Sequence, residues 1–372
     1  MSSSRSAGRL TLFPTTAAWS VSIESGAALP PGFDDARAFV PLGNGQLAAY
    51  DLGTGDMLWS VTQATTSPPV AAENRVVVVD GTDVIARDAQ TGDLVWQYPA
   101  GSPVKAPVTL IGGWALVPES AGTVAAMRLE DGGLVWTQLL ESAPAEAVTI
   151  EGTFALIPTV DGHVKALAVQ DGRLLWTKRL GGRPQPVLAL DDRVYVGTDD
   201  NYFYCLRLSD GRFEWRWRTG ADIVGVAAFD DRRVYFTARD NVLRALDRRS
   251  GAQRWKRALT VRPIAGPVLA GDVLLVASQS AIIHGYLTQD GAPAGDIDAG
   301  AVLVGVPHVA EPPSHPAPLV VYTTGSVASG AKMAAVTRRV EPTLLTPIAP
   351  LPNPVALPPL PVTTTSPGGG NH

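Results

Sequence analysis

Residues 49–59 read AYDLGTGDMLW, and residues 86–96 read ARDAQTGDLVW. A small residue, an acid, a Thr-Gly turn and a closing Trp stand at the same spacing in both. Outward from these two stretches, Trp recurs at Trp19, Trp59, Trp96, Trp136, Trp176, Trp215 and Trp255, at separations of 40, 37, 40, 40, 39 and 40 residues. A fixed period near 40 residues is the mark of a repeat architecture. Only Trp114 and Trp217 lie off the grid.

Each unit carries more than its Trp. Four residues earlier stands Gly55, Gly92, Gly132, Gly172, Gly211 or Gly251, and ten residues earlier a small residue, Ala49, Ala86, Ala126, Ala166, Cys205 or Ala245. Asp51, Asp88 and Asp247 stand eight before the Trp, where the other units place Arg128, Ala168 and Arg207. A polar run ending in Gly is a tight turn, because Gly reaches positive φ without steric cost. Apolar alternation on both sides marks two antiparallel strands joined by that turn. Two further short strands precede them, predicted at Ser67–Ala72 and Arg75–Asp80 in the second unit and at Pro184–Leu190 and Arg193–Thr198 in the fifth. Four short strands per 40 residues is a propeller blade, and no apolar stripe at helical spacing competes with it. The small residue is expected where blades converge, and the Trp where they diverge and bulk must fill the wedge.

A seventh, worn unit keeps Gly285 at the small position and Gly291 at the turn, but has Gly295 in place of Trp. An eighth offers strands at Val302–Val309, Leu319–Thr323 and Met333–Arg338, and then lacks a fourth. Thr16–Ile23, around Trp19, is an orphan fourth strand at the other terminus. Joining the two predicts an all-β, eight-bladed propeller whose last blade is shared by both ends, which leaves no large open sheet edge. Reading the worn unit as an insertion would leave seven blades.

The 372 residues, with 17% charged residues, 37 Gly and 31 Pro, suit many short strands and turns. The propeller is expected over residues 10–340, after a flexible start at 1–9. Residues 341–372 hold nine prolines and almost no charge, which reads as an extended, disordered tail: a linker, or a polyproline ligand for a partner groove. The lone cysteine, Cys205, sits in the small-residue slot, which points to packing and excludes an internal disulfide. No apolar run is long enough for a membrane-spanning helix. The first residues lack the apolar core of an export signal and a lipid-carrying cysteine, so the chain as written reads as cytoplasmic.

Charge is uneven. The net charge is −5, yet residues 207–262 hold 14 Lys/Arg against 7 Asp/Glu, leaving −12 for the rest. Blades five and six therefore form a basic sector, supplied by Arg216, Arg218, Arg232, Arg233, Arg239, Arg244, Arg248, Arg249 and Arg254 and suited to an anionic partner surface. Candidate chemistry is sparse. His163, His284, His308, His315 and His372 show no paired metal-ligand spacing. The Asp pairs at 191–192, 199–200 and 230–231 lie in turn contexts where Asp caps backbone amides. There is no phosphate-binding loop, no nucleophile elbow and no nucleic-acid stacking pattern. No catalytic, cofactor or metal residue is assigned.

The recurring A-x-D-x-x-T-G-x-x-x-W pattern resembles the tryptophan-docking repeat of the quinoprotein-type propeller family over about residues 10–340. Residues 49–59 and 86–96 match it fully. The resemblance implies one of two branches: pyrroloquinoline-quinone dehydrogenases, or enzymatically silent propellers similar to the propeller lipoprotein of the outer-membrane β-barrel assembly machine. The dehydrogenases stack their quinone on adjacent cysteines and hold a Ca²⁺ ion beside a catalytic Asp; here there is no second cysteine. The silent branch implies a place in the cell envelope if the start lies upstream of Met1.

The leading expectation is a non-catalytic, monomeric scaffold for a protein partner, without cofactor. The loops entering the innermost strands ring the funnel mouth and carry Lys105, Arg183, Asp222 and Arg262, a mainly basic set suited to an acidic peptide or small anion. A quinone-binding, dehydrogenase-like protein and a sensor domain of a signalling system are the alternatives.

Overall fold

The computed structural model describes residues 12–326 and 330–339. Its strands form eight four-stranded antiparallel sheets, with no helix among the described residues. Seven sheets use four consecutive strands each. The eighth takes His308–Ala310, Leu319–Ser326 and Gly330–Arg338 from one end of the chain and Thr15–Ile23 from the other. Ala17 pairs with Val336 and Trp19 with Ala335, so the termini are stitched into one blade as the repeat count required. The segments 1–9 and 341–372 and the loop at 327–329 lie outside the described residues.

First strands of neighbouring blades contact one another, so they line the axis. The Thr109 hydroxyl donates to the Val148 carbonyl (2.6 Å) and the Thr149 hydroxyl to the Val187 carbonyl (2.8 Å), linking blades three to five at this inner ring. These strands are shorter than predicted: Val70–Ala72, Leu188–Leu190 and His308–Ala310. Proline-bearing approach loops lack the N–H groups that would extend the ladder, and the ring is crowded. A Cβ on Gly32 would lie 2.2 Å from the Pro69 carbonyl oxygen of the next blade.

The core is distributed. Eight buried apolar clusters occupy the eight seams between adjacent blades. Each grid Trp stands on the fourth strand of its blade and reaches across the seam. The seven indole N–H groups donate to backbone carbonyls of Leu52, Ala89, Leu129, Val169, Leu208, Arg248 and Thr288, at 2.7 to 3.2 Å. Each ring also lies on the turn glycine of the next blade. A Cβ on Gly55, Gly92, Gly132, Gly172, Gly211, Gly251 or Gly291 would come within 2.6 to 2.9 Å of the indole. These glycines have φ between 68° and 81°, so they are needed both for the turn and for the close approach. The acid of the best repeats caps the same turn: the Asp51 carboxylate accepts from Gly53 and Thr54, and Asp88 from Gln90 and Thr91.

The small residue has a reason within its own blade. Ala49, Ala86, Ala126, Ala166, Cys205, Ala245 and Ala335 are the direct cross-strand partners of Trp59, Trp96, Trp136, Trp176, Trp215, Trp255 and Trp19. A small side chain opposite an indole leaves room for the ring on the same sheet face. A β-bulge follows this pair in every blade, one extra residue preceding the Trp position and turning the strand.

At the seventh seam Gly285 pairs with Gly295. The missing indole is replaced from outside the repeat. A Cβ on Gly295 would lie 2.5 Å from the Phe13 ring, and one on Gly285 2.3 Å from it. Leu12 and Phe13 join the apolar cluster of this seam. Trp176→Ala, removing a buried docked indole, should destabilise the fold by about 3–5 kcal/mol. Phe13→Ala should cost a comparable amount, about 3 kcal/mol, and Gly295→Trp should destabilise rather than restore a motif, because Phe13 fills that space. Denaturant midpoints at constant m-value test this; an unchanged midpoint for Phe13→Ala would refute the substitution of one ring for another.

Candidate functional site

Antiparallel order fixes what each face carries. Turns between first and second and between third and fourth strands lie on one face, which holds the docked indoles. Turns between second and third strands, and the loops entering each blade, lie on the other. Lys105, Arg183, Asp222 and Arg262 all belong to the entry-loop face.

The entry loops are tied down by a repeated bridge to the following second-to-third-strand turn: Ala27 to Leu42, Val104 to Glu119, Pro144 to Thr159, Pro184 to Thr198, Pro263 to Ser278 and Leu303 to Thr324. Four of the six bridged positions are Thr or Ser, and the hydroxyls of Thr159, Thr198 and Ser278 serve the turn. Thr159 Oγ1 donates to Asp161 (2.6 Å), and Thr198 Oγ1 to Asp200. Burial works to raise the Asp161 pKa, but the bond from Thr159, together with His163 and Ser142 beside the carboxylate, outweighs it and draws the pKa down to about 2. Blade three instead carries Glu119, only 4% exposed. Sequence reading passed over this residue. The signal was available, since four other blades put Thr or Ser at its position and blade one an apolar Leu42, none of them charged.

Glu119 lines a hollow of 310 Å³ together with Lys105 and Arg183, floored by Ala106, Pro118 and Pro144. The Arg183 N–H donates to the Asp199 carboxylate (2.7 Å), and its guanidinium reaches the Ala145 carbonyl (3.5 Å). Burial raises the pKa of nearby Glu146, and the Arg183 charge works against that shift. Two of the four predicted residues thus meet, with a buried carboxylate added. Arg262 is elsewhere, in a separate 350 Å³ hollow with Arg239, Val224 and Gln279. Asp222 approaches that second hollow only through its backbone, its carbonyl accepting from the Arg239 N–H (2.9 Å). The expected single ring around the mouth is therefore two shallow hollows.

Much of the basic sector is internally neutralised. Arg244 pairs with Asp240, Arg248 with Asp191 and Arg254 with Asp247. Arg233 donates to the Thr288 carbonyl. Of the Asp pairs, Asp230 caps the amides of Arg232 and Arg233, while Asp191 and Asp192 face arginines instead. Cys205 is fully buried, and burial pushes its thiol up to about 12. Among the described residues no group of three or more His, Cys, Asp or Glu could hold a metal ion.

On the indole face, a 690 Å³ hollow lies over the seam of blades eight, one and two, lined by Phe33, Asp34, Asp35, Glu73, His308 and Glu311. Phe33 and His308 stack at 4.1 Å with planes 1° apart. Burial lowers the His308 pKa to about 4, with Asp35 pulling weakly the other way. An unfolded histidine takes its proton near pH 6.5, so between those values the unfolded chain binds a proton that the folded chain refuses. Stability from this group is complete above pH 6.5 and lost as pH falls towards 4. His308→Phe keeps the stack and should flatten the melting temperature across that window; an unaltered pH profile would refute the assignment.

Comparison with known proteins fits this geometry. The family model described as outer membrane protein assembly factor BamB matches residues 10–159 and again 160–299. No curated protein matches the chain in sequence. The crystal structure of BamB from Moraxella catarrhalis superimposes with a TM-score of 0.68 at 18% identity, covering 88% of this chain and 98% of that one. The computationally designed Ika8 protein gives 0.74 at 16%, covering 86% and 99%. A quinohemoprotein alcohol dehydrogenase, ADHIIG of Pseudomonas putida HK5, gives 0.69 at 11%, covering 87% and 76%. At such identities the structural likeness speaks for the fold alone.

Proposed function

This chain belongs to the family of outer membrane protein assembly factor BamB, and from that premise we propose that it is a non-catalytic scaffold whose entry-loop face binds a protein partner at Lys105, Glu119 and Arg183. One observation carries the reading. At the bridged turn position, which is Thr or Ser in blades four, five, seven and eight and Leu42 in blade one, blade three buries Glu119 in a hollow that it shares with an exposed lysine and an exposed arginine. Burying an acid where a threonine would satisfy the turn costs stability. The cost has a purpose if the carboxylate orients the two cations for an incoming acidic group.

The quinone-dehydrogenase reading fits these residues poorly. The only thiol, Cys205, lies fully buried opposite Trp215, with no neighbouring cysteine to make the stacking ring.

The test has two arms. A photo-crosslinking residue at position 183 should give discrete adducts in cells producing the protein, whereas the same probe at Val135, on an exposed outer strand, should give none. Lys105→Ala combined with Glu119→Thr should weaken those adducts, while Glu119→Thr alone leaves the melting temperature equal or higher. Retention of a quinone chromophore with dye reduction after adding quinone and Ca²⁺ would overturn the non-catalytic reading.

A further inference from the structure

The outer wall of the ring breaks the repeat in a way that the core does not require. Each blade's fourth strand alternates between residues on the indole face and residues on the opposite, exposed face. The two exposed-face positions after the Trp are Ser60 and Thr62 in blade one, Gln97 and Pro99 in blade two, and Thr137 and Leu139 in blade three. They become Thr177 and Arg179, then Arg216 and Arg218, then Lys256 and Ala258 in blades four to six. Blade seven has Asp296 and Asp298, and blade eight returns to Ser20 and Ser22. All the cations at these positions therefore fall on three consecutive blades, bounded by carboxylates on one side and neutral residues on the other.

The sector is built rather than merely basic. Arg179, Arg216, Arg218 and Lys256 are exposed, and none forms a salt bridge with a carboxylate among the described residues. The one acid on these three strands, Glu214, is committed to Arg207 (2.7 Å) and Arg193 (3.6 Å). Lys178 adds a further charge, held 3.8 Å above the Phe213 ring, and Arg216 lies 5.2 Å over Tyr202.

We propose that the outer strands of blades four to six form a docking surface for an extended acidic segment of a protein partner. The proposal rests on the scaffold reading above but uses a different face. Three features choose the occupant. The wall is convex, so a planar anionic membrane could touch one blade at a time, whereas an extended peptide can follow three. The aromatic faces that could stack bases are already covered by Lys178 and Arg216, which removes the usual platform for single-stranded nucleic acid. Finally, the molecule is net negative, and a long polyanion would meet that repulsion, while a short acidic segment feels charges only within a screening length of about 8–10 Å.

The experiment uses the full chain and a labelled alternating Glu-Ser peptide, followed by fluorescence anisotropy. Binding should weaken as salt rises from about 50 to 300 mM. Charge reversal at Arg179, Arg216, Arg218 and Lys256 together should weaken it at least about tenfold. The same four Arg/Lys-to-Glu reversals made instead at Arg173, Arg212, Arg232 and Arg249, all exposed, should leave affinity within about threefold, and equal melting temperatures confirm that both variants fold. Equal losses in the two variants, no peptide binding, or equally tight binding of a thymidine oligonucleotide or of phosphatidylglycerol vesicles would each overturn the proposal. A chain that ignores the peptide but still crosslinks at position 183 would lose this surface and keep the scaffold reading.

Discussion

The ring depends on one repeated interaction, an indole laid on the turn glycine of the next blade with its N–H given to a carbonyl there. It combines apolar burial, a satisfied polar group and a fixed distance between neighbouring blades. It also explains residues that look unrelated. The turn glycine is required because any Cβ would enter the ring. The small residue is required because it faces the same ring across the strand. Since every docking contact crosses a seam, no blade is complete alone, and the ring gains its stability by closing.

Closure creates the one place where the device cannot work. The third-to-fourth-strand turn of blade eight does not exist, because the chain's two ends meet there. An indole at position 295 would have no glycine turn to land on. The fold reverses the direction of the contact: blade seven gives up its bulk at Gly285 and Gly295, and the segment leading into the closing strand supplies Phe13.

This accounts for what could be read from the sequence. The blade count and closing strand followed from the Trp period, because the period reports a contact made identically at seven seams. Gly295 was legible as worn, but its complement was not: Phe13 lies before the first grid Trp, outside any periodic comparison. The grouping of the entry-loop residues was equally hidden. Lys105 and Arg183 share a hollow while Arg262 does not, and that depends on loop paths across blades, which no spacing encodes. The short inner strands reflect crowding at the axis, a property of the assembled ring.

The indole device also divides the molecule into constrained and free regions. All the docked turns lie on one face, so substitutions there disturb a seam. The entry-loop face and the outer wall carry no such duty, and a residue there can depart from its equivalents at little structural cost. Internal repeats therefore supply their own control: seven other blades show what a position needs for folding alone. Glu119, where four other blades place a hydroxyl, and four cations confined to three consecutive outer strands are departures that folding does not ask for. In a symmetric scaffold, such breaks in symmetry are where a partner's demands are written, and both fall on surfaces that the indoles leave unused.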